Sequence, residues 1–451
     1  MQKRTKTFDD LKWIILFSFF VLFFFTFYYA DIITTQNKGI LFFQGIISGN
    51  FSELYNFESI FYIPVHIIMG IWCLPVTLLE LIGIHAVDTV GAYLWSKLLV
   101  VLFGAGCVYC CRKMLMVLDN KDPNYWIFLL CASPLFWSPT LVLAQYDVLE
   151  LFFGMWAILL AAREKTLSWK TLLLMSFTVS CKLIFGFGMI LLLLVKEKRI
   201  AYLLRDTVIL LICPALLLIV FRTGIISIHH INMSTDYMSS KINSVALPGL
   251  LEMPLFYLVF FGSCAIAYFY MFPENGKELI VDISWLFTCV YVAFVLLISY
   301  SHPFWAVLLS PFLLLLAASE EHRQPENIIV YVLLQFCIFL LQIYLFDWVF
   351  LAKDSFKYLL LRNYSGALLF GRDIPNGAAV IVKYGLEQFL PAVASFALIT
   401  ALVLLVRNNV WYSRPERNIT GLSTTTVKYW TEGVLLLAMI LYIYVSCVIG
   451  L

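Results

Sequence analysis

A few hydrophilic side chains interrupt long apolar runs in this chain, and their types suit group-transfer chemistry. Asp31 follows the run 13–30. Gln145-Tyr146-Asp147 separates the runs 125–143 and 148–162. Lys182 stands in Ser180-Cys181-Lys182-Leu183-Ile184-Phe185, between two further runs, and His302 stands in Ser299-Tyr300-Ser301-His302-Pro303. An ionisable group beside a bilayer-length hydrophobic segment is costly to keep, so each is a functional-site candidate. Asp31 has the chemistry of a general base held at the rim of a lipid-bounded cavity. Glu150 follows Asp147 by three residues, so on a helix the two carboxylates share a face. Lys182 offers a compact cation for a phosphate, and His302 a donor to phosphate or to a sugar hydroxyl. Arg362 and Arg372, in the loop 351–386 with Tyr364 and Asp373, suit an anionic headgroup or a pyrophosphate. Plain structural roles compete at the same positions. Asp147 is an acid that a helix N-terminus favours, and Lys182 can snorkel to the headgroups.

The elements that position these groups are membrane helices. Of 451 residues 62% are hydrophobic and only 13% charged, against about 25% charged in a soluble domain. Spanning segments are expected near 13–30, 91–111, 125–143, 148–162, 169–182, 183–195, 201–221, 254–272, 281–300, 304–319, 328–350, 387–406 and 430–450, about 13 in all. The fold class is therefore an all-α polytopic membrane protein, read as one membrane-embedded domain over 1–451. The first run is a retained span rather than a cleaved signal peptide, because Tyr28-Tyr29-Ala30-Asp31 follows it in place of a small-residue cleavage site. The net charge of +2 is scattered over loops, with no basic stripe for nucleic acid. Nucleotide-binding glycine loops and hydrolase elbows are absent. Cys107-Val108-Tyr109-Cys110 is the one C-x-x-C spacing among the eleven Cys; it lies inside an apolar run without the second pair that a metal site takes, and no metal or cofactor is expected.

Orientation turns on 61–84, which is apolar enough to span but contains Pro64, His66, Pro75 and Glu80. If it lies at the surface, 20 Lys and Arg face the cytoplasm and 8 face outward; if it crosses, the balance reverses to 11 and 17. Positive charge collects on cytoplasmic loops, so the surface reading and a cytoplasmic N-terminus are preferred. Asp31, the 145–147 turn, Lys182, His302 and the loops 223–250 and 351–386 then all fall on the extracytoplasmic side. Asn37 and Gln44, with Phe42, Phe43, Ile46 and Ile47 on another face, suit an interfacial helix over 36–48 in the first outer loop.

These residues, in this order, resemble the GT-C superfamily of integral-membrane glycosyltransferases, in its bacterial and GPI-mannosyltransferase-like branch. In that branch an acid follows the first helix, as Asp31 does. A Tyr-Pro-Pro-like element is matched by Phe61-Tyr62-Ile63-Pro64, and a helix that opens on Lys and ends basic by Trp95-Ser96-Lys97 through Arg112-Lys113. Asn-Pro followed by Gly-Gln-x-Asp is matched by Ser133-Pro134 and Ala144-Gln145-Tyr146-Asp147. Lys-Pro-Phe is matched by Lys182-Leu183-Ile184-Phe185, and His-Pro-x-Tyr by His302-Pro303-Phe304 ahead of Pro311. The likeness covers 13–320, which leaves 321–451 as additional C-terminal spans. Ala144 replaces a usual Gly and Leu183 a usual Pro. No paired Asp-x-Asp follows the first helix, so the resemblance gives a bound divalent metal no support.

The resemblance implies transfer of a sugar from a polyprenyl-phosphate donor to a glycan, lipid or protein acceptor, with inversion at the anomeric carbon. Asp31 and Asp147 are the expected catalytic residues. Gln145, Tyr146, Glu150, Lys182, His302 and Arg372 are the expected substrate-binding residues, Lys182, His302 and Arg372 toward the leaving phosphate. The implied location is a bacterial plasma membrane. The alternatives are a lipid or polysaccharide transporter, although no internal repeat of the kind many transporters carry is visible, and a polysaccharide polymerase, which favours more Arg in its outer loops than Arg362 and Arg372 supply.

Overall fold

Proline breaks several of the apolar runs into shorter helices. The computed structural model describes residues 2–27, 29–49, 63–87, 89–220, 254–297, 302–319, 324–345, 381–407 and 423–447. The described elements are helical, with no β-strand among them. They are α1 Gln2–Thr26, α2 Ala30–Ser48, α3 Ile63–Trp72, α4 Leu74–Leu81, α5 Val90–Val117, α6 Pro123–Ala132, α7 Pro134–Trp137, α8 Asp147–Ala161, α9 Trp169–Cys181, α10 Gly186–Lys196, α11 Ile200–Leu210 and α12 Ile212–Val220. Beyond these come α13 Leu255–Phe269, α14 Gly276–Leu296, α15 Ser310–Ala318, α16 Gln324–Leu345, α17 Leu390–Arg407 and α18 Thr424–Cys447.

Five described helices are long and apolar enough to cross a membrane: Val90–Val117, Gly276–Leu296, Pro325–Tyr344, Leu386–Val406 and Thr424–Ile443. The number rises to eight if each broken pair is one span. The described residues thus give fewer spans than the thirteen expected; proline breaks some of the expected segments and others are simply short. The segment 125–143 breaks at Ser133, whose extended ψ of 130° is what a residue before proline adopts. Pro123–Ala132 and Pro134–Val142 diverge by 61°. Around Pro139 the chain runs as a π-helical turn, Ser138–Val142, closed by the Leu143 N–H donating to the Ser138 carbonyl at 2.9 Å. The expected span 201–221 is two helices split at Leu211; Pro214 lacks the N–H that would continue the ladder to residue 210. Helices α8, α9 and α10 hold only 15, 13 and 11 residues. The ambiguous segment 61–84 is described from 63 onward as α3 and α4, of 10 and 8 residues. They are bent by 61° at a break just before Pro75. The expected interfacial helix 36–48 is the latter part of α2, which begins earlier and holds Asp31 in its first turn.

The chain divides into two interleaved units. The first comprises Met1–Ala30, Asp119–Ala144 and His302–Leu451. Phe23 and Trp137 pack at 4.8 Å there, and Trp137 and Tyr442 at 5.0 Å. Lys12 pairs with Glu432 at 2.7 Å, Lys428 with Asp122 at 2.9 Å, and the Tyr125 and Thr431 hydroxyls meet at 2.8 Å.

The second unit comprises Asp31–Leu118 and Gln145–Ser301, and in it α8 packs against both α5 and α9. Missing side chains on glycine permit the closest approaches. A Cβ on Gly106 of α5 would lie 2.6 Å from the Phe152 ring of α8, and one on Gly154 of α8 would lie 1.9 Å from Cε1 of Phe185. Phe185 in turn meets Phe287 at 5.7 Å and Tyr291 at 5.9 Å. Gly154→Ala is therefore expected to destabilise the protein by about 1–3 kcal/mol through overpacking. Gly262→Ala in α13, where nothing lies within 4 Å, should stabilise slightly, because Gly loses more freedom than Ala in a helix. Thermal unfolding of the two variants in detergent, moving in opposite directions, checks this.

Candidate active site

The second unit gathers Asp31, Gln145, Tyr146, Asp147, Glu150 and Lys182 around the start of α8. The incoming backbone turns at Ala144, which has a left-handed φ of +48°. Gln145 and Tyr146 follow, and their carbonyls accept the N–H groups of Val148 and Leu149 at 3.3 and 2.9 Å, which starts α8. Tyr146 is the N-cap residue and Asp147 the first helical one. That start brings the side chains of Asp147 and Glu150 to one end of the helix, where its dipole favours negative charge.

Gln145 is fully buried, and its amide Nε2 donates to Oδ2 of Asp31 at 3.1 Å. Asp31 is half-buried in the first turn of α2. Asp147 is fully buried and takes the Lys182 ammonium on Oδ1. Lys182 ends α9 with extended backbone and also lies over the Tyr146 ring, 5.7 Å from its centroid. Tyr146 is anchored in an apolar cluster with Val65, Leu149 and Cys181. Glu150 is buried one turn further into α8, where Lys182, Asp147 and the Phe185 backbone amide act on its carboxylate. Among the described residues, no three His, Cys, Asp or Glu side chains gather in a metal-binding arrangement.

His302 belongs to the first unit. It is buried, and its imidazole packs on Phe304 at 4.9 Å and Trp305 at 4.6 Å as the chain enters the 3₁₀ turn Pro303–Leu308. Arg372, with Arg362, Tyr364 and Asp373, lies outside the described residues, as does the loop 223–250.

No protein-family model, curated protein or solved structure matches this chain. The site therefore rests on its own geometry, which holds two features absent from the sequence reading. Tyr291, fully buried in α14, feels the charge of Glu150, and its hydroxyl donates to the Ile184 carbonyl at 3.3 Å. It sits within an uninterrupted apolar run, so nothing in the sequence set it apart. Ala144 is the second feature. A left-handed φ costs a residue with a Cβ roughly 1–2 kcal/mol, so Ala144→Gly is expected to raise the unfolding temperature, net of the entropy Gly loses on folding. A lowered unfolding temperature would contradict the turn geometry.

Proposed function

We propose that this chain is an integral-membrane glycosyltransferase. It moves a sugar from a polyprenyl-phosphate donor to an acceptor hydroxyl at the extracytoplasmic face. The observation that carries the proposal is that six of the eight residues expected to act on substrate lie in one unit. Their links are the Gln145–Asp31 hydrogen bond and the Lys182–Asp147 ion pair.

In this reading Asp31 accepts the proton of the acceptor hydroxyl as that oxygen attacks the anomeric carbon. The bond from carbon to phosphate oxygen breaks, its electron pair leaves with polyprenyl phosphate, and the anomeric configuration inverts. General-base help of this kind supplies roughly 10²–10⁴-fold. The Gln145 amide fixes the Asp31 carboxylate, which is what a base needs if the proton is to pass at hydrogen-bond distance. Lys182, held by Asp147, stabilises charge growing on the leaving phosphate. The left-handed φ at Ala144 adds support, because the resembling family has Gly there and only Gly adopts that conformation without strain.

One observation favours transport instead. In the first unit Asn327, Tyr331, Gln335 and Gln342 of α16 are buried to 0, 0, 0 and 3% exposure. At about 100° per residue they fall within roughly 80° of one face. Ser133 hydrogen-bonds Gln335 at the break between α6 and α7. Broken helices and buried polar stripes at membrane depth are features of transporters as well as enzymes.

Proteoliposomes given polyprenyl phosphate labelled separately in sugar and lipid separate the readings. The transferase releases polyprenyl phosphate and passes the sugar to acceptor. Intact donor crossing to the opposite leaflet, with no release, would replace this reading by the transporter.

A further inference from the structure

The end of the second unit away from residues 145–147 is basic. There α8 ends, α9 begins, α10 ends and α11 begins. Lys196 at the close of α10 donates to the Glu164 carbonyl beyond α8, and the Tyr268 hydroxyl of α13 donates to the Lys198 carbonyl at 2.7 Å. Along 162–170, 196–205 and 270–278 six cations are exposed: Arg163, Lys165, Lys170, Arg199, Arg205 and Lys277. The exposed carboxylates there are two, Glu274 and Glu278.

Two of these cations are held in a fixed geometry. Glu197 is buried, and its Oε1 accepts the backbone N–H of Arg199 at 2.9 Å. The same carboxylate takes Nε and Nη2 of Arg199 at 2.9 and 2.8 Å. Buried Asp206 takes Nε and Nη2 of Arg205, both at 2.7 Å. The two guanidinium carbons lie 3.9 and 4.8 Å from the centroid of one ring, that of Tyr202, close enough together for one phosphate group to meet both. Their side chains are 59 and 53% exposed. A guanidinium carries more N–H donors than one carboxylate uses, and the edge left over is a fork that matches phosphate oxygens.

The surroundings indicate where the phosphate comes from. Ile200, Leu204 and Val208 recur every four residues of α11 and are 68, 64 and 65% exposed. An apolar helix face beside half-exposed arginines suits the headgroup level of a bilayer. Trp169, 63% exposed with the Lys170 ammonium 5.8 Å from its ring centroid, is an interfacial residue of the same kind. The excess of exposed cations favours an anionic lipid over a zwitterionic one.

We propose that Arg199, Tyr202 and Arg205 form a binding site for the phosphate of an anionic phospholipid. The two guanidinium forks hold its oxygens, the Tyr202 ring orients the forks by stacking, and the apolar face of α11 takes the acyl chains. The site does not depend on the transferase reading.

The full chain in neutral detergent, titrated with phosphatidylglycerol, phosphatidylcholine and inorganic phosphate and read by native mass spectrometry, tests this. Phosphatidylglycerol should bind about tenfold more tightly than phosphatidylcholine, and inorganic phosphate should not displace it at equal concentration. Arg199→Gln alone would leave buried Glu197 unpaired, so the changes are made in pairs, Glu197→Gln with Arg199→Gln and Arg205→Gln with Asp206→Asn. Each pair keeps the net charge and should weaken phosphatidylglycerol binding about tenfold, the loss expected when charge-assisted hydrogen bonds go. Arg199→Lys, which keeps the ion pair and loses the fork, should weaken it as well. Unchanged binding in all three variants would show that the general field of the surface holds the lipid, and would overturn the site. Equal affinity of the wild type for the two lipids overturns it too, and inorganic phosphate that binds as tightly as phosphatidylglycerol overturns the lipid assignment.

Discussion

Lys182→Met is expected to destabilise the protein by about 3–5 kcal/mol, the usual cost of removing one partner of a buried ion pair. The Asp147 side chain is fully buried and that of Lys182 is 12% exposed. With the ammonium gone, the Asp147 carboxylate would stay buried beside Glu150 with no cation to balance it. The double variant Lys182→Met with Asp147→Leu should recover most of the loss, because apolar residues of similar volume often replace a buried pair without cost. Neither protein should transfer sugar. Thermal unfolding of single and double variants in matched detergent decides it. A single variant within about 1 kcal/mol of wild type would show that the pair does not hold this turn, since exposed pairs are worth that little.

Asp31→Asn should leave the fold intact and lower turnover by about 10²–10⁴-fold, the range for loss of a general base. The change keeps the side chain's shape, and Asp31 is only half-buried at a helix start, so stability has little to lose. The expected signature is a fall in kcat with the donor KM nearly unchanged, because the substituted group acts on the acceptor's proton. Turnover within a few-fold of wild type would remove Asp31 from the chemistry. Both variants belong in the same proteoliposome assay, where Asp31→Asn reports on chemistry and Lys182→Met on assembly of the site.

Charged residues in an apolar chain stand out, which is why Asp31, Asp147, Glu150 and Lys182 were legible as candidates. Their connections were not. Lys182 and Asp147 are 35 positions apart, and no periodicity in the sequence pairs them. Gln145 reaching Asp31 across 114 positions is likewise a product of packing. Helix boundaries were lost where proline lies inside an apolar run, as at Pro134 and Pro214, because hydropathy sums over the residue that stops the ladder. The strained turn at Ala144 showed in the sequence only as Ala where the resembling family has Gly; its left-handed φ is seen in the fold alone. Tyr291 was hidden as a polar hydroxyl on a residue that reads as apolar.

The central claim is that the cluster around Asp31 opens to the extracytoplasmic side and holds the donor there. Asp31→Cys, placed in a background with the native cysteines removed and assembled into right-side-out vesicles, tests it with a membrane-impermeant maleimide. The account predicts labelling from outside, and protection when the vesicles carry a hexosyl polyprenyl phosphate. Labelling that appears only after the membrane is permeabilised would contradict it.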